Sequence, residues 1–226
     1  MDFTKFVSLL NTQKLFFSRA DSLTDEFEGS YPKQNIESRS IVYKDAPNAI
    51  KDHPFIAKEM RKYVAISSWH TNDHESAAMW KVYIQDSGGI AIQSTFEKLC
   101  ASFEKDKENE VFIGKVKYID YEVDSIPEGN FFFPYLHKRK SFEYENEVRA
   151  IVLKLPEEPN TLELDLTIEV FQEGLYIPVD LNTLVENIHV SPKAKKWYLK
   201  LVETTLKKYL LNKPIKQSKL DEGPLY

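Results

Sequence analysis

Apolar residues recur along the chain with both helical and strand periodicity, and the two patterns are mixed. Residues 4–11 have helical spacing, with Phe6, Leu9 and Leu10 on one side, and residues 14–18 are typical of a short buried strand. Further strands are predicted at residues 64–69, 90–94, 111–118, 145–155 and 188–190, with weaker candidates at 162–166 and 174–178. Further helices are predicted at residues 47–63, 72–85 and 95–103, and after residue 191.

Local signals predict where three of these helices begin or bend. Asn72 followed by Glu75 is typical of a capping box, and Ser191 followed by Pro192 is typical of a helix start. Pro54 is expected to break or kink the helix at residues 47–63. The last helix carries a broad apolar stripe that is expected to pack against a sheet. The stripe consists of Trp197, Tyr198, Leu201, Val202, Leu206, Tyr209 and Leu210.

The order of the elements indicates the fold class. Strands and helices are mixed but do not alternate regularly, which favours an α+β fold over a doubly wound parallel sheet. The chain contains no internal repeat, no low-complexity tract and no clear linker. We therefore predict one domain over residues 1–226, with a mixed, mainly antiparallel sheet and flanking helices.

Composition and charge narrow the range of partners. Of the 226 residues, 42% are hydrophobic, which is enough for a sizeable core. The net charge of −5 repels phosphate backbones, so general nucleic-acid binding is not expected. Two local basic runs are expected to be solvated. They are Lys138, Arg139 and Lys140, and Lys193, Lys195 and Lys196.

The single cysteine and the absence of long apolar runs favour a cytoplasmic protein. Cys100 has no partner for an intramolecular disulfide and lies in the apolar pattern of a helix, so we expect a buried, inert thiol. The first ten residues do not have the pattern of a signal peptide. No stretch approaches the roughly 18 apolar residues of a membrane span, so no membrane association is expected.

Candidate binding groups begin with the strand and loop at residues 15–28. Ser18 and Arg19 follow an apolar strand, and Asp25 and Glu28 lie in the polar loop after it. Loops that leave the ends of strands often carry function. The alternative is a turn in which Asp25 caps a short helical segment.

A second candidate segment is the predicted helix at residues 72–85. Trp80 and Tyr83 lie at i,i+3 on this helix, where their rings can stack on a base or a sugar. The alternative is that both rings belong to the core. His70 and His74 are four residues apart, but they straddle a loop–helix junction, and we expect no metal site.

The third candidate segment is the predicted strand at residues 145–155. In a strand, Glu145, Glu147 and Arg149 point to the same face, and Arg149 can neutralise Glu147. Charged groups are costly to bury unless they are paired, and enzymes often keep such groups for use. The alternative is a structural ion-pair network, with Lys138 or Lys140 neutralising the remaining carboxylate.

The three segments resemble the motifs of a large bacterial family that shares a domain of unknown function. Residues 24–28 (TDEFE) are similar to its NDPFE-like loop, with Thr24 and Glu26 in place of Asn and Pro. Residues 79–83 (MWKVY) match its MWxxY helix, and residues 142–149 (FEYENEVR) match its WxYExExR strand, with Phe142 in place of Trp. The resemblance covers about residues 15–220.

The layout of these motifs is also similar to that of ADP-ribosyltransferase-like toxins, which suggests an enzyme. By that analogy Glu147 or Glu145 is the catalytic carboxylate, Tyr83 is the aromatic that packs on nicotinamide, and Arg19 is the early basic residue. Substrate-binding candidates are Arg19, Ser18, Trp80, Tyr83 and Arg149. NAD or another nucleotide is then a substrate, with no prosthetic group, and a toxin or phage-defence role is expected. The alternative is a non-catalytic immunity or protein-interaction domain with a protein partner.

Overall fold

The computed structural model describes residues 1–84, 88–156 and 165–224. The chain has the predicted α+β fold, with helices flanking a mainly antiparallel five-stranded sheet. Backbone contacts divide it into two compact units. Unit 1 comprises Met1–Leu15, Asn72–Asn109 and Tyr176–Tyr226, and unit 2 comprises Phe16–Thr71 and Glu110–Leu175. That the whole chain forms a single domain stays a prediction.

Seventeen helices and strands follow one another along the described part of the chain. The helices are α1 (Phe3–Thr12), α2 (Lys33–Val42), α3 (Pro47–Met60), α4 (Ala77–Tyr83), α5 (Phe96–Ser102), α6 (Leu181–Leu184) and α7 (Lys196–Lys208). The strands are β1 (Lys14–Arg19), β2 (Val64–His70), β3 (Ile90–Gln93), β4 (Phe112–Lys115), β5 (Lys117–Ile119), β6 (His137–Arg139), β7 (Glu147–Leu153), β8 (Gly174–Pro178), β9 (Asn187–Val190) and β10 (Ile215–Gln217). Short 3₁₀ helices lie at Ala20–Ser22, Arg61–Tyr63, Phe133–Tyr135 and Lys140–Glu145.

Most of the five-stranded sheet, whose strand order is β4-β7-β2-β1-β8, belongs to unit 2. The strand β7 lies between β4 and β2 and is antiparallel to both. Its residues Val148 to Val152 are all buried, as expected for a strand covered on both faces. The register places Ser68 opposite Arg149 and His70 opposite Glu147. A two-stranded parallel ladder of β5 and β6 completes the unit's strands.

Unit 1 contains a three-stranded sheet in the order β10-β9-β3. The strand β9 runs parallel to β10 and antiparallel to β3. In α7, Tyr198, Val202 and Leu206 are buried, because their spacing puts them on one side of the helix. The buried stripe is therefore narrower than the predicted one, and Trp197 lies outside it with 63% of its surface exposed.

Several predicted helix boundaries are wrong. The helix α4 begins at Ala77 and is capped by Ser76, whose hydroxyl accepts from the Met79 amide, so Asn72 is not the cap. The helix α7 begins at Lys196 rather than after Ser191, because the hydroxyl of Ser191 accepts a hydrogen bond from the Gly89 amide instead of capping a helix. The helix α3 continues through Pro54, so the predicted break does not occur, whereas a kink there stays a prediction. The helix α2 was not predicted.

Two predicted strands differ from the observed ones, since one begins later than predicted and the other is divided. The strand β7 begins at Glu147, because Asn146 adopts a left-handed conformation (φ 40°) after a 3₁₀ helix. The strand at residues 111–118 is divided at Val116. The Val116 amide still donates to the Glu147 carbonyl on β7, whereas the next amide, that of Lys117, donates to the Leu136 carbonyl. Most of the candidate strand at residues 162–166 lies outside the described residues.

Two expectations about solvent exposure also need correction. Cys100 is half-buried rather than buried, and its burial raises the pKa of the thiol. Lys138 is buried and Arg139 half-buried because both pair with carboxylates, whereas Lys140 is exposed as expected. Lys193, Lys195 and Lys196 are exposed as expected. None of the helices in the described ranges has the length and apolar character needed to cross a bilayer.

The packing of α7 predicts which of its large apolar side chains stabilises unit 1. Leu206 is buried, so Leu206→Ala should lower the free energy of unfolding by about 2–5 kcal/mol. Trp197→Ala removes an exposed ring and should change it by less than about 1 kcal/mol. Urea unfolding followed by circular dichroism measures both. An equal loss in the two variants would contradict this packing.

Candidate functional site

The candidate site is organised around the side chain of Arg149 on β7, which is 1% exposed. Its Nη1 and Nη2 donate to the two carboxylate oxygens of Glu28 over 2.8 and 2.7 Å. Its Nε donates to Oε2 of Glu147 over 2.8 Å, and Nη1 also donates to the Tyr135 carbonyl over 2.7 Å. Two carboxylates and a carbonyl thus compensate a buried charge that would otherwise be very costly. The predicted pair of Glu147 and Arg149 is confirmed.

The loop that contains Glu28 is held to the same place by a second ion pair. Asp25 is buried and accepts from Nη2 of Arg139 over 2.7 Å. The same Asp25 oxygen accepts from the amide of Phe27 over 3.1 Å, and the Arg139 guanidinium lies 4.1 Å from the centre of the Phe27 ring. The structure therefore brings the first and third candidate segments together.

Lys138 on β6 connects two carboxylates of the third segment. Its ammonium group donates to Oε1 of Glu147 over 2.9 Å and also forms an ion pair with Glu145. It lies 4.6 Å from the centre of the Phe142 ring, which covers one side of the charge. We call these neighbouring ion pairs the ion-pair cluster. It consists of Asp25, Glu28, Lys138, Arg139, Glu145, Glu147 and Arg149.

Glu145 reaches the cluster by a different route from the predicted one. It lies in the 3₁₀ helix Lys140–Glu145 and not on the strand, so the prediction that it shares a strand face with Glu147 is wrong. The left-handed Asn146 turns the chain between the two carboxylates. This turn is fixed to the end of β2, because His70 Nδ1 lies 2.5 Å from the Glu145 carbonyl and the Thr71 amide donates to the Asn146 carbonyl over 2.8 Å.

The two carboxyl groups have opposite pKa shifts. Burial, and next a hydrogen bond with Glu147, raise the pKa of Glu145 to about 7. Burial acts in the same direction on Glu147, but the hydrogen bond with Glu145 and the charge of Arg149 outweigh it and hold the pKa of Glu147 far below its usual range. Two neighbouring carboxyls whose pKa values are shifted in opposite directions are typical of acid–base sites. Glu145 can therefore exchange a proton near neutral pH, whereas Glu147 stays ionised.

Ser18 and Arg19 lie on β1, and Arg19 has other partners than the cluster carboxylates. Its guanidinium pairs with Asp21 over 2.7 Å and with Glu169 over 2.8 Å. It also lines a cavity of about 270 Å³ together with Lys62, Tyr63 and residues 166–170. Ser18 is paired with Ile66 across the β1–β2 ladder. A role of Ser18 and Arg19 in substrate binding stays a prediction.

Trp80 and Tyr83 belong to α4 in unit 1. The indole Nε1 of Trp80 donates to Oε2 of Glu75 over 3.2 Å. His189 Nδ1 lies 3.1 Å from the other carboxylate oxygen of Glu75. Tyr83 is 60% exposed, and α4 has no buried residue, so neither ring is part of a core. Their role as a stacking surface stays a prediction.

Sequence reasoning missed two of the long-range partners. Glu28 and Asp25 were recognised as loop carboxylates, but their pairing with Arg149 and Arg139 was not, because these pairs are separated by 121 and 114 positions. The sequence suggests Lys138 or Lys140 as the cation for the second carboxylate, and Lys138 pairs with both Glu145 and Glu147.

Neither the described side chains nor known proteins assign a chemistry to this cluster. Among the described residues, no three His, Cys, Asp or Glu side chains come together as metal ligands. No family model, curated protein or solved structure matches this chain. The inference of function therefore rests on the geometry of the cluster.

The bidentate pair predicts strong coupling between Glu28 and Arg149. Arg149→Met should lower the free energy of unfolding by about 3–5 kcal/mol, because it leaves two carboxylates buried without their cation. Adding Glu28→Gln to this variant should cost much less than Glu28→Gln does alone. A double-mutant cycle measured by urea unfolding checks this. Additive costs would show that the two side chains do not stabilise each other.

The raised pKa of Glu145 predicts a pH dependence of stability. In the unfolded chain the group has its ordinary pKa of 4.5, and in the folded chain a pKa of about 7. The folded chain therefore binds more protons between these pH values, and the contribution of Glu145 to stability is lost as pH rises through this window. Glu145→Gln should flatten this decline in urea unfolding, while the exposed Glu143→Gln should leave it unchanged. An unaltered slope in Glu145→Gln would contradict the shift.

Proposed function

We propose that unit 2 carries the active site of an enzyme that breaks the glycosidic bond of NAD or a related nucleotide, in the manner of ADP-ribosyltransferase-like proteins. The observation that supports this most is the opposite pKa shifts of two neighbouring carboxyls, which give Glu145 a pKa of about 7 beside an ionised Glu147. Catalytic acids and bases need pKa values near the working pH, and environments that separate two neighbouring pKa values assign their roles.

In this proposal Glu145 is the general base. When the bond between ribose and nicotinamide breaks, the bonding electron pair goes to the nicotinamide nitrogen and leaves positive charge on the sugar. The attacking hydroxyl or water gives its proton to the carboxylate of Glu145, and the new bond forms at the anomeric carbon. The negative charge of the carboxyl pair stabilises the oxocarbenium character of the transition state.

Glu147, Arg149 and Lys138 then act as positioning residues. Glu147 is buried and bonded to both cations, so its carboxylate is fixed, while Lys138 orients the neighbouring Glu145. Tyr144 precedes Glu145 and is 53% exposed, which makes its ring available to a nicotinamide or purine. The proposal therefore moves the catalytic role from Glu147 to Glu145 and adds Tyr144 as an aromatic contact.

The test is release of nicotinamide from NAD by the purified chain, followed by chromatography, with and without cell extract as a source of acceptors. Glu145→Gln should lower the rate about 100-fold or more, as expected for loss of a general base. The wild-type rate should rise with pH through about 7, where Glu145 loses its proton. A proposed toxin or phage-defence role predicts that the same variant loses toxicity on expression.

Glu143→Gln is the matched control, because Glu143 lies in the same 3₁₀ helix and is exposed. It should keep the wild-type rate, and circular dichroism should show that both variants are folded. The proposal fails if the wild-type chain neither releases nicotinamide nor binds NAD at millimolar concentration. It also fails if folded Glu145→Gln retains full activity.

A second candidate function is a non-catalytic protein-interaction domain, of which an immunity protein is one example. In this case the ion-pair cluster only fixes the loop at residues 25–28 to β7. The observation that favours it is a set of exposed apolar side chains on α2 and α3, the most exposed being Ile41, Val42 and Phe55. Such patches are common at binding surfaces. An inactive chain in which Ile41→Asp or Phe55→Asp abolishes capture of one defined partner would support this function.

A further inference from the structure

Unit 2 contains a second buried arginine, Arg39 on α2, whose surroundings differ sharply from those of Arg149. Arg39 is 5% exposed and Arg149 is 1% exposed. Arg149 donates five hydrogen bonds to protein acceptors, from all three of its nitrogens. Among residues 1–84, 88–156 and 165–224, Arg39 has no ion pair, and its Nε is sealed from solvent without a hydrogen-bond partner. A buried guanidinium without an anion is costly, so it calls for a partner that the protein does not supply.

The guanidinium of Arg39 is packed against an aromatic ring. Its guanidinium carbon lies 4.9 Å from the centre of the Tyr31 ring, and the ring of His53 on α3 packs edge-on against the same Tyr31 at 5.3 Å. The Nδ1 atom of His53 is also buried without a hydrogen-bond partner. Two nitrogen atoms that need partners are therefore packed around one aromatic ring.

The carboxylate of Glu128 lies in the same region as Arg39 but forms hydrogen bonds with other groups. Glu128 accepts from the hydroxyl of Tyr43 over 2.8 Å and from the amide of Asn35 over 3.3 Å, and it does not approach Arg39 closely enough for an ion pair. Burial, and next the charge of Arg39, lower the pKa of His53, so its ring is neutral beside the arginine at neutral pH. Glu128 acts on the same tyrosine and histidine side chains as Arg39, so it offsets the arginine charge only at longer range and leaves the guanidinium without a directly bonded anion.

We propose that Arg39 binds a small oxyanion, a phosphate or carboxylate group, with His53 as a second polar contact and Tyr31 as the wall of the site. The planar guanidinium offers two parallel donors that suit the oxygen atoms of either group. The limited exposure of Arg39 excludes a bulky group at this position, so the ligand presents a terminal phosphate or carboxylate. The inference rests on Arg39 alone and does not depend on the proposed catalytic role of Glu145.

The experiment follows the Nε–Hε signal of Arg39 in ¹⁵N-labelled protein, assigned by its loss in Arg39→Lys. Inorganic phosphate and acetate are titrated separately to millimolar concentration, with chloride keeping the ionic strength constant. One of the two should shift the signal saturably and raise Tm, since a ligand that binds only the folded state stabilises it. The anion that binds more tightly identifies the chemical class of the ligand.

Arg39→Met and Lys44→Met form a matched pair, because both remove one positive charge but Lys44 is exposed just after α2. Arg39→Met should lose the anion-dependent rise in Tm, and its Tm without anion should be equal to or higher than that of the wild type. Lys44→Met should keep the rise. If Arg39→Met does not fold, Arg39→Lys carries the comparison, with binding expected to weaken at least tenfold. The proposal is overturned if neither anion gives a saturable shift, or if folded Arg39 variants bind as tightly as the wild type.

Discussion

The arrangement of unit 2 depends on the requirement that the buried guanidinium of Arg149 be fully paired. Arg149 lies on a strand covered on both faces, so water cannot compensate its charge. The protein compensates it by bringing Glu28 in from a loop and Glu147 from the same strand. Since both oxygens of Glu28 are used, the direction of that loop is fixed as well as its distance. The ion pair of Asp25 with Arg139 then holds the other end of the same loop.

Local patterns predicted much of the fold, because most helices and strands here are decided by nearby residues. The boundaries of α1, β2 and α5 agree with the predictions to within one or two residues. The errors occur where a side chain has a competing partner. Ser191 resembles a helix cap in the sequence, but its hydroxyl accepts from Gly89, over a hundred positions earlier, and α7 starts later. A pattern confined to neighbouring residues cannot contain such a contact.

The candidate site was predicted in part for the same reason. The pairing of Glu147 with Arg149 follows from alternation along a strand, and the structure confirms it. The position of Glu145 does not follow from alternation, since Asn146, which lies between Glu145 and the strand, is left-handed. The Asn side chain is among the few that adopt this conformation readily, and its amide donates to the carbonyl of Thr71. The asparagine at position 146 is visible in the sequence, but the contacts at the end of β2 are what fix its left-handed conformation.

The charge balance of the ion-pair cluster explains why one of its carboxyls has a raised pKa. Its ion pairs join four carboxyls to three cations, which leaves one negative charge in excess if every carboxyl is ionised. A proton removes this excess most readily at the carboxyl that is least strongly paired with a cation. Glu28 and Glu147 bond directly to Arg149 and Asp25 bonds to Arg139, whereas Glu145 shares Lys138 with Glu147. The excess proton therefore belongs on Glu145, in agreement with its raised pKa. Glu145 is also less buried than Glu147, so this proton lies on the less shielded of the two carboxyls.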